Sequence, residues 1–219
     1  MTPPTFSLGE VEAMARKAAR GAGLSWGMAE EAGWAARWLC AAGLDGCAAL
    51  ATALAALELS DPAARAPAGL GSPWRAPSGE LCALHAGALL SDAATFWAEE
   101  GVEMEAVAAP LLLLPFAAGA ARCLRRPVAL RWPETEALTD GTALELRGPP
   151  PAPAAAASRL RVAVAGPAGR IATPCRRRTR AAPDGDDWAF LEALAARTYA
   201  PATEASRLKG AGAGLSDND

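Results

Sequence analysis

Residues 128–164, VALRWPETEALTDGTALELRGPPPAPAAAASRLRVAV, decide the fold class. Val128, Leu130 and Trp132 alternate with Arg131, and Leu144 and Leu146 alternate with Glu145 and Arg147. Leu160, Val162 and Val164 do the same against Arg159 and Arg161. This period of two predicts strands with one face on a core and the other in water. Between the last two strands, residues 148–158 hold four prolines and five alanines. Proline has no ladder donor, so this stretch is expected to be extended or mobile and outside the sheet.

Upstream the period is different. Ser7 and Glu10 form a capping-box pattern ahead of Leu8, Val11, Ala15, Ala18 and Ala22 at helical spacing, and Gly21 and Gly23 stop that helix. Ser25 can cap a second helix, with Glu30 and Glu31 near its N-terminal end and Trp34 and Trp38 one turn apart. Asp45 can cap a third that carries Leu50, Leu54 and Leu57. Residues 60–79, with four prolines and three glycines, predict an irregular loop anchored by Trp74.

Beyond the loop, Leu81, Ala83 and His85 suggest a short strand, and Val102, Met104 and Ala106 another, alternating with Glu103 and Glu105. A helix is expected from about Phe116, and a last one around Trp188, Leu191 and Leu194 behind an Asp184–Asp187 cap. Helices first and one-sided strands later predict an α+β fold. It would have an N-terminal three-helix segment followed by a mainly antiparallel sheet with one or two further helices. The chain is expected to form a single domain, 1–219, with a helical part over 7–59, a mixed part over 80–199 and a glycine-rich tail over 200–219.

Composition narrows the function classes. Of 219 residues 58 are alanine and 52% are hydrophobic, so the chain is not of the disordered class. The net charge of −3 conceals an acidic N-terminal part (−7 over 1–119) and a basic middle (+8 over 120–182). Five cysteines with no CxxC pair offer neither a zinc ribbon nor a thioredoxin-type motif. The N-terminus lacks a basic n-region and an apolar h-region, and the longest uncharged apolar run, 106–121, is broken by Pro110 and Pro115. A cytoplasmic protein with reduced thiols and no membrane span is expected.

Local motifs are sparse. Gly23–Gly27, GLSWG, matches the nucleophile-elbow string, but a helix precedes it where that chemistry needs a strand, so Ser25 as a cap is the better account. Gly21-Ala22-Gly23 lacks the third glycine of a dinucleotide fingerprint. His85, the only histidine, stands among apolar neighbours, which suits a hydrogen-bonded, half-buried side chain better than a catalytic one. Arg176–Arg180 holds four arginines without interleaved aromatics in an acidic chain, so an exposed loop is expected rather than a nucleic-acid site. In the tail, alternating Gly210, Gly212 and Gly214 could form an anion-binding nest with Arg207 and Lys209, and Asp217 and Asp219 offer oxygens to a hard cation.

Two stretches, ARKAARGAGLSWGMAEEAGWAARWL (15–39) and TYAPATEASRLKGAGAGLSDND (198–219), resemble the two ends of a bacterial family of unknown function. The resemblance implies no particular reaction and leaves the cofactor unknown. It singles out Lys17, Arg20, Trp26, Glu30, Glu31, Arg207, Gly210, Gly212, Gly214, Asp217 and Asp219. From these the expected function is a small-molecule enzyme or binding protein for an anionic metabolite. Lys17, Arg20, Arg207 and the tail glycines would bind the ligand, Glu30, Glu31 or His85 would be acid or base, and Asp217 and Asp219 are the metal candidates. The tail is expected to dock near the start of the second helix. The alternative is a non-catalytic structural subunit or homo-oligomeric interaction protein built on the alanine-rich helices.

Overall fold

The computed structural model describes residues 4–166 and 169–199. After a two-residue strand β1 (Phe6–Ser7), three helices follow: α1 (Leu8–Gly21), α2 (Trp26–Ala41) and α3 (Gly46–Glu58). Each starts where a cap residue takes up an orphan backbone donor. Ser7 and Glu10 form the reciprocal capping box, the Ser25 hydroxyl accepts from Met28 N, and the Asp45 carboxylate accepts from Ala48 N. Alanine and glycine let the helix axes approach closely. A Cβ on Gly33 of α2 would lie 2.9 Å from the Glu12 carbonyl of α1, and one on Gly21 only 1.8 Å from the Leu194 carbonyl.

The loop over 60–79 contains one 3-10 turn, Pro62–Arg65, and is pinned by Trp74, which is buried and donates its indole N–H to the Leu70 carbonyl. The chain then forms β2 (Leu81–Cys82), α4 (Ala83–Asp92), α5 (Ala94–Trp97) and β3 (Val102–Ala108). A 3-10 turn leads into α6 (Leu113–Leu124), followed by β4 (Val128–Arg131), β5 (Glu136–Thr139), β6 (Leu144–Arg147) and β7 (Ala156–Val164). A short β8 (Arg180–Ala181) pairs with β1, and α7 (Gly185–Ala196) ends the described chain.

The fold is α+β. Six strands lie in the order β2-β3-β7-β4-β5-β6, antiparallel throughout except for the parallel β2–β3 pair. One face of the sheet joins the helices in a continuous hydrophobic cluster that includes Trp74, Met104, Phe116, Leu130 and Val162. The other is a lattice of opposite charges set by register. Glu103 faces Arg161 and Glu105 faces Arg159 between β3 and β7, while Glu136 lies between Arg131 and Arg147.

Several elements differ from the sequence expectation. The strand expected over Leu81, Ala83 and His85 ends at Cys82, and the next ten residues are α4, which buries Ala83, Leu84, Ala86, Gly87 and Leu90. Small apolar residues on several sides left too little contrast to separate a period of two from one of 3.6. Among the described residues four helices rather than one or two follow the first three, and α6 begins at Leu113 rather than Phe116. Strand β5 was not expected: Ala137, Leu138 and Thr139 are all buried, so the strand shows no alternation. The proline-rich stretch is outside the sheet only through Ala155; Ala156 and Ala157 pair with Ala108 and Val107.

Candidate functional site

The α1–α2 turn positions the basic side chains expected to bind a ligand. Gly23, at φ 94°, turns the chain back, and the Arg20 guanidinium donates to the Leu24 carbonyl at 2.6 Å. The turn brings the exposed edge of α1, with Arg16, Lys17 and Arg20, beside Trp26 and Glu30 of α2. Thr198 and Tyr199 at the end of α7 close a pocket of about 350 Å³ around these side chains. The Arg20 guanidinium lies 5.0 Å from the Trp26 ring centre, and the Lys17 ammonium donates to the Tyr199 hydroxyl at 3.4 Å. Three cations against one carboxylate, between two aromatic rings, suit a small anion with an apolar or planar part.

Arg16 and Glu30 also belong to a larger cleft of about 740 Å³, so the two spaces are contiguous. Its walls come from four helices at helical spacing: Glu12 and Arg16 of α1, Gly27, Glu31 and Trp34 of α2, Ala88, Ser91 and Asp92 of α4, and Phe116, Gly119 and Arg122 of α6. Trp34 and Phe116 meet edge to face with ring centres 5.8 Å apart. The α4 and α6 backbones approach closely because Gly87 and Gly119 lack side chains: a Cβ on Gly87 would lie 2.2 Å from the Phe116 ring, and one on Gly119 2.7 Å from the Ser91 hydroxyl.

The electrostatics differ from group to group. Glu12 is paired with Arg37 at 2.7 Å, and Arg122 donates to the Gly141 carbonyl at 2.7 Å. Among the described residues Arg16 has no hydrogen-bonding partner. Glu31 stands at the rim, where partial burial of its carboxyl, then Asp92 and Glu30, push its pKa above the usual carboxylate range. A carboxyl whose pKa is raised, in the same cleft as Arg16, can donate a proton to an anion bound there.

Of the expected site residues, the structure gathers Lys17, Arg20, Trp26, Glu30 and Glu31. His85 does not line either space; it is half-buried on α4, and burial lowers its pKa. Its Nδ1 is buried without a hydrogen-bond partner, so the expected hydrogen bond is absent there. Arg207, Gly210, Gly212, Gly214, Asp217 and Asp219, with the expected tail docking, lie outside the described residues. No group of three or more potential metal ligands occurs among the described residues. The sequence did not point to Arg16, Ser91, Asp92, Phe116 or Arg122 as parts of one cleft. Arg16 alone left a signal, as it is one turn from Arg20 on the same helix face.

The fold and this cleft define an α+β domain whose helical layer carries a composite acidic and basic groove. Residues 6–82, from β1 through β2, match the model of a family described as Protein of unknown function (DUF3726). The match takes in the first of the two stretches that resemble such a family, with Lys17, Arg20, Trp26, Glu30 and Glu31; residues 198–219 fall beyond it. The chain matches no curated protein and no solved structure. No described helix is long and apolar enough to cross a membrane.

Proposed function

We propose that this protein binds a small anionic metabolite in the groove along the α1–α2 edge. Arg16, Lys17 and Arg20 hold the anionic group, the Trp26 and Tyr199 rings flank it, and Glu31 serves as the acid. The observation that carries this reading is the convergence of three basic side chains of one helix edge on a pocket contiguous with the cleft at Glu31. The five free cysteines fit a reducing, cytoplasmic setting. Thermal unfolding with inorganic phosphate, a dicarboxylate and a nucleoside monophosphate in turn tests the reading. At least one should raise the melting point of the native chain and lose that effect in a Lys17→Ala/Arg20→Ala variant. Equal melting points with and without every anion would overturn it.

The second reading, a homo-oligomeric interaction protein, draws on the exposure of Trp26 (68%) and Tyr199 (62%) at the same edge. A melting point that rises with protein concentration and ignores all anions would favour it.

A further inference from the structure

Cys40 and Cys47 lie outside the groove, at a different helix junction. Cys40 is in the last turn of α2 and Cys47 in the first turn of α3, and the tight turn between them brings both side chains to one cavity. Both are buried, yet both line a cavity of about 330 Å³ that also borders Asp45, Arg178 and Arg180. The start of α3 explains the unequal thiols. Asp45 takes up the N–H of Ala48 through its side chain and that of Ala49 through its carbonyl. The Cys47 thiol first, and then the N–H groups of Gly46 and Cys47, are the donors that favour the Cys40 thiolate, while burial adds to what Cys40 does in raising Cys47. These donors hold Cys40 below the usual thiol range and raise Cys47, as a nucleophile and its reserve partner require.

We propose that Cys40 and Cys47 are a peroxide-oxidisable dithiol: a small hydroperoxide enters the cavity, oxidises Cys40, and Cys47 resolves it to an intramolecular disulfide. The Cys40 thiolate attacks one peroxide oxygen, the O–O bond breaks, and the departing alkoxide or hydroxide takes the proton that Cys40 released. Cys40 is then a sulfenic acid. The Cys47 sulfur attacks the Cys40 sulfur, the S–OH bond breaks, and hydroxide leaves as water with the Cys47 proton. In sum, two thiols and one hydroperoxide give one disulfide, one alcohol or water, and one further water. A dithiol reductant restores the pair.

The other thiols serve as internal references. Cys82 is buried and raised in pKa by that burial, Cys123 is exposed on α6, and Cys175 is half-buried with its pKa raised by burial. The full chain, fully reduced, is treated with hydrogen peroxide, quenched over time and mapped by peptide mass without reduction. The expected result is a single peptide pair linking Cys40 to Cys47, formed about tenfold faster than any oxidation of Cys123. In Cys47→Ser, Cys40 should accumulate as a sulfenic acid that a 1,3-dione traps; in Cys40→Ser, no disulfide should form. If either variant fails to fold, the native map alone decides. A disulfide between other cysteines, or Cys40 still a thiol when Cys123 is oxidised, would overturn the proposal.

Discussion

The Lys17 ammonium and the Tyr199 ring are 182 positions apart in sequence, and the charge lies 5.4 Å from the ring centre. The contact fastens the end of α7 to the middle of α1, beside the basic pocket. A pair this exposed stabilises the fold by no more than about 1 kcal/mol. Lys17→Ala and Tyr199→Ala should therefore leave the urea midpoint nearly unchanged while weakening anion binding several-fold. A large loss of stability in either variant would assign the pair a structural role instead.

Gly21 and Gly27 separate close approach from mere helix propensity. An alanine Cβ at Gly21 would meet the Leu194 carbonyl at 1.8 Å, whereas at Gly27 nothing lies within 4 Å. Gly21→Ala should force α1 from α7 and destabilise by about 1–3 kcal/mol. Gly27→Ala should stabilise by up to about 1 kcal/mol, since alanine restricts the unfolded chain and glycine is a poor helix former. Equilibrium urea unfolding of both variants measures the contrast. Equal effects would show that the α1–α7 spacing can relax.

The cap residues made the first three helices legible, since Ser7, Ser25 and Asp45 each act through contacts three residues away. Alternation with charge gave β4, β6 and most of β7 for a similar reason: Arg131, Arg147, Arg159 and Arg161 mark the solvent face, although Glu145 of β6 is buried under the bonds it accepts from Arg147, Ala172 and Thr173. Where the same few apolar residues face the core on more than one side, as in α4 and β5, the period carries no information. The site was half legible. Lys17, Arg20, Glu30 and Glu31 share one helix pair, whereas Ser91, Asp92 and Arg122 arrive by tertiary packing that Gly87 and Gly119 allow.

The Arg176–Arg180 run is exposed throughout, yet part of it is structural. The Arg178 N–H donates to the Ala41 carbonyl at 2.8 Å, and the Arg180 guanidinium donates to Thr5 Oγ1 and to the Thr5 carbonyl. With the Arg180 guanidinium on Thr5 and that of Arg177 donating to the Thr142 carbonyl, two of the four arginines are engaged by the fold and fewer are left to neutralise phosphates. Duplex DNA and single-stranded RNA should show no retention at physiological salt. Alanine at Arg176 and Arg177 should leave stability within about 0.5 kcal/mol, whereas Arg180→Ala should destabilise measurably. Tight binding lost in the Arg176→Ala/Arg177→Ala variant would contradict this.

Glu31 and Glu145 should respond to pH with opposite signs. Glu145 accepts from Arg147 and from the N–H groups of Ala172 and Thr173, at 2.9, 2.5 and 3.2 Å, and these bonds lower its pKa. A lowered folded pKa means stability that is present above the ordinary carboxylate value, about 4.3, and lost as pH falls through the folded value. For Glu31 the folded pKa is raised, first by burial and then by Asp92 and Glu30. The folded state therefore binds the proton more tightly than the unfolded chain, and stability declines as pH rises from the ordinary value through the raised one. At neutral pH Glu31→Gln should be more stable than the native chain, with a flatter profile above about pH 4; Glu145→Gln should be less stable, with a flatter profile below it. Urea unfolding between about pH 3 and about pH 8 reads both slopes. A Glu31→Gln variant less stable at neutral pH, with the native slope intact, would show that the fold does not raise the pKa of Glu31.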